Sequence, residues 1–240
     1  MTQRLTARRP AAVAATILVA LLLAACATPK AARMERPAAL QAAAEERLEG
    51  IGGGRSGRVV LGAFEARFER SADRLALFDD AVARDRATVR LDWRGADQQP
   101  AQLSCGAAQT TATAGVISAT VKPLAVECTM RAGEPGRGER TGALRLDSRA
   151  AAAGTRQERE GRWTSGDLAL EIRSVHRFEG SPLPQPAPVG YVVSRGGVPV
   201  GAVELNGLRP RVWRPAEGAP AREDVTIALV ALALLWDPER

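Results

Sequence analysis

The sequence predicts a mainly β domain, built as an antiparallel barrel or sandwich with one hydrophobic C-terminal helix packed in it or against it. Two patterns carry this prediction. Apolar and polar residues alternate in many short stretches from Val59 onward, which is typical of strands with one buried face. The stretch 225–236 is apolar except for Thr226, and a helix with no polar face must be surrounded by other elements.

The composition narrows the class of protein. The chain has 240 residues, with 33 basic and 27 acidic side chains and a net charge of +6. Arg4, Arg8 and Arg9 lie in the N-terminal segment, and the other basic residues are scattered along the chain. Aromatic residues make up 4% of the chain, too few for a platform on which sugars or single-stranded nucleic acid would stack. We therefore expect no nucleic-acid partner.

The N-terminal segment predicts export. Residues 1–9 carry three arginines and residues 11–25 form an apolar run, as in a secretory signal. The run ends in Leu23-Ala24-Ala25-Cys26, which resembles the lipobox of bacterial lipoproteins. This resemblance implies a lipoprotein signal peptide over 1–25 and a lipid containing palmitate on Cys26. Because Ala27 rather than Asp follows, it also implies the periplasmic face of the outer membrane. A simple signal peptide with an incidental cysteine and an uncleaved anchor remain alternatives.

Two further regions follow the signal. Residues 26–57 are predicted to be a lipidated tether, with a short helix as an option over 37–49. The glycine-rich stretch 50–57 has no apolar strand before it and no Lys-Ser/Thr after it, so it does not match a phosphate-binding loop. Residues 58–240 are enough for a single β-rich domain that includes the C-terminal helix.

The strands are predicted from the alternation and from the turn signals between them. Gly196 and Gly197 supply the positive φ that a two-residue hairpin turn needs. Residues 181–189 contain four prolines and are predicted to be a crossing loop. Residues 148–155 are predicted to be a loop, with a helical turn as the alternative, and 116–121 is an optional strand. The predicted strands are 64–69, 75–78, 87–94, 101–105, 124–131, 144–146, 156–163, 168–178, 191–195, 198–205 and 211–213.

Cys105 and Cys128 are the two cysteines that remain beside Cys26. In an exported protein such a pair normally oxidises, so a disulfide is predicted between them. Two buried free thiols are the alternative. No metal site is expected, because His176 is the only histidine and no two cysteines stand two residues apart.

The apolar stretch near the C-terminus predicts a core helix. Glu223 and Asp224 would lie at its positive end, and Pro238 would stop it. At ~1.5 Å per residue the helix would be about 18 Å long, too short for a hydrocarbon core of ~30 Å. The residues predicted to carry the core contacts are Val225, Ile227, Leu229, Leu232, Leu235 and Trp236.

The last fifty or so residues resemble the end of the tubby C-terminal and phospholipid-scramblase-like fold. The resemblance is carried by 190–193, the turn 196–197, the strand 200–205 and the helix 225–236. It implies a closed β-barrel threaded by a hydrophobic helix, in a group of proteins that recognise lipid head groups or act near membranes. No basic lipid-binding motif of that group is matched, so no binding residue is carried over.

No catalytic constellation is visible in the sequence. No serine has the G-x-S-x-G pattern, and the adjacent carboxylates of Asp79 and Asp80 would point to opposite faces of a strand. A structural or surface role is favoured for His176. We therefore expect a non-enzymatic envelope lipoprotein without a cofactor, held to the membrane by Cys26 and presenting its β-rich domain to an envelope protein or lipid. The alternatives are an envelope hydrolase, which would need coupled carboxylates or an activated serine near His176, and a lipid-binding barrel. A helix that fills the barrel would count against a lipid-binding interior.

Overall fold

A computed structural model describes residues 32–77, 81–95, 98–134, 137–150 and 156–235. These residues form a nearly closed, mainly β barrel of antiparallel strands with one C-terminal α-helix, which confirms the predicted fold class. A 3₁₀ turn covers Ala38–Leu40. The strands are β1 Glu46–Arg47, β2 Ser56–Leu61, β3 Phe64–Leu77, β4 Val82–Arg94, β5 Pro100–Ala114, β6 Ile117–Glu134, β7 Arg137–Ala150, β8 Gln157–Ser165, β9 Leu168–Val175, β10 Gly190–Arg195, β11 Val198–Glu204 and β12 Arg211–Trp213, and the helix α1 is Arg222–Leu234.

The sheet is a meander whose two edges meet. Each strand from β2 to β12 pairs antiparallel with the next, and β1 pairs with β12. Just after β1, Glu49 forms a bridge with Val60 of β2 through backbone N–H···O bonds of 2.9 and 3.0 Å. A closed sheet leaves few backbone groups unpaired at an edge.

The meander gives the barrel two distinct ends. The links after β3, β5, β7, β9 and β11 lie at one end, which we call the tip end. The links after β2, β4, β6, β8, β10 and β12 lie at the opposite end, which we call the mouth end. Because α1 follows β12, its N-terminus is at the mouth end and its axis runs towards the tip end.

The helix α1 is enclosed by the barrel. Residues 224–234 are all buried, and they share one hydrophobic core with inward side chains of the strands. Among the residues predicted for the core, Val225, Ile227, Leu229 and Leu232 are buried, while Leu235 follows the helix and is partly buried. Trp236 lies outside the described residues. The helix begins three residues before the predicted apolar stretch, since the acids of its first turn suit the positive end of the helix dipole.

The described part of the segment predicted as a tether, 32–57, packs on the barrel. Met34 bridges to Phe178, and Met34 and Leu40 are buried against the outer face of β10 to β12. The guanidinium of Arg36 lies 4.6 Å from the centre of the Trp213 ring. The segment therefore covers apolar side chains on the outer face of the sheet. A flexible linker would not make such contacts.

The predicted disulfide is confirmed. Cys105 on β5 lies directly opposite Cys128 on β6, and their sulfur atoms are bonded at 2.09 Å. Both residues are buried on the inward face, beside the core around α1. The bond therefore joins neighbouring strands inside the barrel.

Several strands are longer than the sequence pattern indicated. Residues 75–77 of the predicted strand 75–78 are the end of β3, and 78 lies outside the described residues. The small-residue stretch 106–120 holds the end of β5 and the start of β6. Residues 148–150, predicted as part of a loop, end β7, and 151–155 lie outside the described residues. The proline-rich segment 181–189 crosses between β9 and β10 without joining the sheet, as predicted.

Candidate binding cleft at the barrel mouth

A cleft of about 1030 Å³ opens at the mouth end, beside the first turn of α1. Three segments that are far apart in the sequence build it: the β2–β3 turn, the β4–β5 link and the loop 214–220 before the helix. The other two depressions described on the domain are smaller, at about 290 and 360 Å³. Concave surfaces of this size are the usual place for ligands.

An ion pair lies beside the cleft: the buried Arg214 lines it, while its partner Glu46 is partly exposed and is not among the lining residues. Arg214 donates two hydrogen bonds of 2.7 Å to the carboxylate of Glu46, and it also donates to Thr226 Oγ1 at 3.0 Å and to the Leu61 carbonyl at 2.9 Å. These bonds, opposed by partial burial, hold the pKa of Glu46 below its ordinary value. Glu46 therefore stays ionised at neutral pH and is unsuited to act as a general acid.

A glycine makes room for this pair. Gly62 has φ +58°, and a Cβ at this position would lie 2.8 Å from both Arg214 Nη2 and Glu46 Oε2. A side chain at residue 62 would therefore have to displace the ends of Arg214 and Glu46 and adopt a φ that favours glycine.

Trp93 lies in the lining of the cleft, but its hydrogen-bond donor is covered. The residue is 6% exposed, and its ring centre lies 6.3 Å from that of Phe64. Among the described residues Nε1 has no hydrogen-bond partner, and a ligand could accept its hydrogen bond only after the neighbouring side chains move. An unpaired buried N–H costs on the order of 1–3 kcal/mol. Trp213 Nε1 is also unpaired, but Trp213 does not line the cleft.

The acids at the start of α1 already have partners. Asp224 accepts a hydrogen bond of 3.0 Å from Trp163 Nε1 and lies 3.8 Å from Arg140, which also pairs with Glu223 at 3.2 Å. Among the described residues, equal numbers of arginines and acids line the cleft, so their formal charges balance. They are Arg67, Arg94, Arg214 and Arg222, and Glu65, Asp92, Glu217 and Glu223. This chemistry suits an amphipathic ligand or a peptide segment with hydrogen-bond acceptors.

His176 lies at the other end of the barrel, directly after β9. Its Nδ1 and its carbonyl both bond to the backbone of Gln185, which ties the proline-rich segment to β9. The Gln185 carbonyl can only accept, so Nδ1 carries the proton and Nε2 accepts from Ser174 Oγ at 2.9 Å. Burial lowers the pKa of His176, which keeps the ring neutral.

Sequence reasoning did not find the cleft. Trp93 has no local pattern that distinguishes it from other inward residues of a strand, and Arg214 and Glu46 are 168 positions apart in the sequence. The alternation of residues in the strands around Gly62 does not predict its positive φ. Cys26 lies outside the described residues.

Within the described part of the chain, α1 and the 3₁₀ turn both fall short of the length and apolar character of a membrane-spanning helix. No protein-family model, curated protein or solved structure matches this chain. Similarity to known proteins therefore assigns it neither a family nor a function.

Proposed function

We propose that this protein is a non-enzymatic lipoprotein of the bacterial envelope, anchored through a lipid on Cys26 at the periplasmic face of the outer membrane. Its barrel domain binds an envelope component in the cleft at the mouth end. The observation that carries the binding role is the cleft of about 1030 Å³ at the mouth end, whose described lining combines the aromatic Phe64 and Trp93 with charged side chains. The resemblance of the segment 23–26 to a lipobox carries the anchor.

The filled interior of the barrel supports a binding site at the mouth rather than inside the barrel. Since residues 224–234 of α1 are buried on every side, the interior next to the helix is occupied by protein atoms. An acyl chain inside the barrel would have to displace α1. The lipid-binding alternative therefore reduces to an amphipathic molecule held in the same cleft.

Cross-linking in intact cells tests the binding role. A photoreactive amino acid at the exposed Glu217, in the loop beside the cleft, should form an adduct with the ligand, whereas one at Leu208 at the tip end should not. Equal adducts from both positions would contradict a site at the mouth.

The anchor has its own test. Cells grown with a radiolabelled fatty acid should incorporate label into the wild-type protein and not into a Cys26→Ala variant. Label that persists in the variant would rule out Cys26 as the lipid attachment site.

A second candidate function is an envelope hydrolase, favoured by the hydrogen bond from Ser174 Oγ to His176 Nε2 at 2.9 Å. Ser174 Oγ also accepts from the Arg159 backbone N–H at 2.8 Å, which would stabilise an alkoxide. A fluorophosphonate probe that labels the wild type but not Ser174→Ala would support this function. Absence of labelling in the wild type would leave the bond with only its structural role of holding the proline-rich segment.

A further inference from the structure

The strand β3 has a free edge in the tip half of the barrel. β3 covers Phe64–Leu77, but β2 pairs with it only as far as Glu69. On its other side β3 pairs with β4 as far as Leu77, without a register shift. Within the part of the chain that the structure describes, residues 71–77 therefore have a neighbouring strand on one side only.

The glycine-rich link between β1 and β2 ends the neighbouring hairpin beside the middle of β3. The chain bends over 53–55 and enters β2 at Ser56. Arg70 of β3 holds this link in place, because its side chain donates hydrogen bonds to the carbonyls of Gly54, at 3.0 Å, and Gly52. The line that β2 would follow towards the tip end is left open.

The backbone groups that face the open side belong to the even-numbered residues of β3. Arg70 donates its backbone N–H to the Arg55 carbonyl at 2.7 Å, on the β2 side. Successive residues of an antiparallel strand direct their N–H and C=O groups to alternate sides, so those of Ala72, Arg74 and Ala76 also face the open side. These groups have no backbone partner there among the described residues. Such a row of unpaired groups is a template for another strand.

The features that usually protect a strand edge are missing here. Residues 70–77 include no proline and no lysine, and the pairing of β3 with β4 contains no bulge. The charge of Arg74 is paired with Asp85 at 3.5 Å. Leu75 and Leu77 are 57% and 47% exposed, so the edge combines free backbone groups with exposed apolar side chains.

The charges beside the edge favour an acidic partner strand. The row that contains Leu75 continues through Arg84 of β4 and Thr110 of β5 to Lys122 of β6, and it holds two cations and no acid. An acid opposite Leu75 on an added strand would be two strand spacings, about 10 Å, from the backbone of Arg84. Glutamate and arginine side chains are long enough to meet across that distance.

We propose that the free edge of β3, residues 71–77, binds an extended acidic segment of a partner protein as an added antiparallel strand. The segment continues the line of β2 and exchanges hydrogen bonds with the backbone of Ala72, Arg74 and Ala76. Its acid lies opposite Leu75, and its larger apolar side chains pack over the exposed Ala72 and Ala76. This site is separate from the cleft at the mouth end, and it does not depend on the lipid anchor.

Amide hydrogen exchange, followed by NMR on the isotope-labelled full-length protein, tests the added strand. The probe is a synthetic peptide with Val-Glu-Val-Thr-Val at its centre, and the control peptide has lysine in place of glutamate. At a peptide concentration of ten times the Kd, exchange at Ala72, Arg74 and Ala76 should slow about tenfold, because about nine-tenths of the edges are occupied. Exchange at Asp73 and Leu75 should not change, since their N–H groups already bond to β4. The lysine peptide should bind at least about twofold more weakly.

Two variants separate the backbone bonds from the charge. Ala76→Pro removes one free N–H group and should weaken binding about 2- to 10-fold. Proline is tolerated where the N–H faces away from the sheet, and Ala72→Pro replaces this variant should it not fold. Arg84→Glu should weaken binding about 2- to 5-fold. Arg162→Glu, on the exposed face of β8, changes the net charge equally and should bind like the wild type.

Slow exchange at Ala72, Arg74 and Ala76 before any peptide is added would overturn the proposal, because the edge would already be covered. A dimer mass in sedimentation would then assign the cover to a second copy, and a monomer mass to the chain itself. Rapid exchange that the peptide does not slow would also overturn it. So would wild-type affinity in both the proline variant and Arg84→Glu.

Discussion

The packing of α1 against β11 depends on a glycine. Gly201 faces the helix, and a Cβ at this position would lie 2.6 Å from Val225 Cγ1, 3.1 Å from the Trp213 carbonyl and 3.2 Å from Leu229 Cδ1. A contact of 2.6 Å is not possible for real side chains, so the helix or the strand would have to move. We expect Gly201→Ala to lower the free energy of unfolding by about 1–3 kcal/mol, as overpacked cores do.

Gly106→Ala is the matched control. Gly106 is also in a strand, but a Cβ there would meet nothing within 4 Å. Because alanine restricts the unfolded chain, this variant should be unchanged or more stable by up to about 1 kcal/mol. In a thermal unfolding experiment the difference at Gly201 corresponds to a decrease in Tm of about 2–4 °C per kcal/mol.

A second substitution shows whether the helix contact is the cause. Val225→Ala removes the methyl group that the new Cβ would strike. The double variant should therefore be more stable than the sum of the two single effects predicts, by at least about 0.5 kcal/mol. A Gly201→Ala protein with wild-type stability, or strictly additive effects in the double variant, would show that α1 is not packed tightly against β11.

Three other predictions concern the ion pair, the disulfide and the N-terminal segment. Glu46→Gln should lower the free energy of unfolding by about 2–3 kcal/mol at pH 7, because it leaves Arg214 buried without its charge partner. Since the folded pKa of Glu46 is below its ordinary value of 4.5, this difference should shrink as pH falls through that value towards the folded pKa, and a constant difference from pH 7 to pH 3 would contradict the assignment. Replacing Cys105 and Cys128 with alanine should lower the free energy of unfolding in urea by about 3 kcal/mol, because the disulfide restricts the unfolded chain. An unchanged midpoint would mean that the paired strands already hold the two residues together. Leu40→Ala should lower the free energy of unfolding by about 2–5 kcal/mol, because Leu40 is buried against the barrel. A loss of less than about 0.5 kcal/mol would mean that the N-terminal segment behaves as a tether.

Local sequence patterns predicted the strands and the helix whose side chains are buried in a regular pattern. The alternation around 87–94 predicted the central part of β4, where every second side chain is buried. Alternation did not predict the strands at the tip end, because residues 117–123 of β6 have no buried face. Without a buried face, apolar and polar residues need not alternate along a strand. The unbroken apolar stretch of α1 predicted an enclosed helix because each side of it meets the barrel wall.

Long-range assembly explains what the sequence did not reveal. Met34 and Leu40 cover β10 to β12, yet two apolar positions in an irregular segment have no period from which burial could be inferred. The cleft needs Phe64 from β3, Trp93 from β4 and the loop before α1 at one end of the barrel. Their proximity follows from the closure of the sheet, which no local pattern encodes.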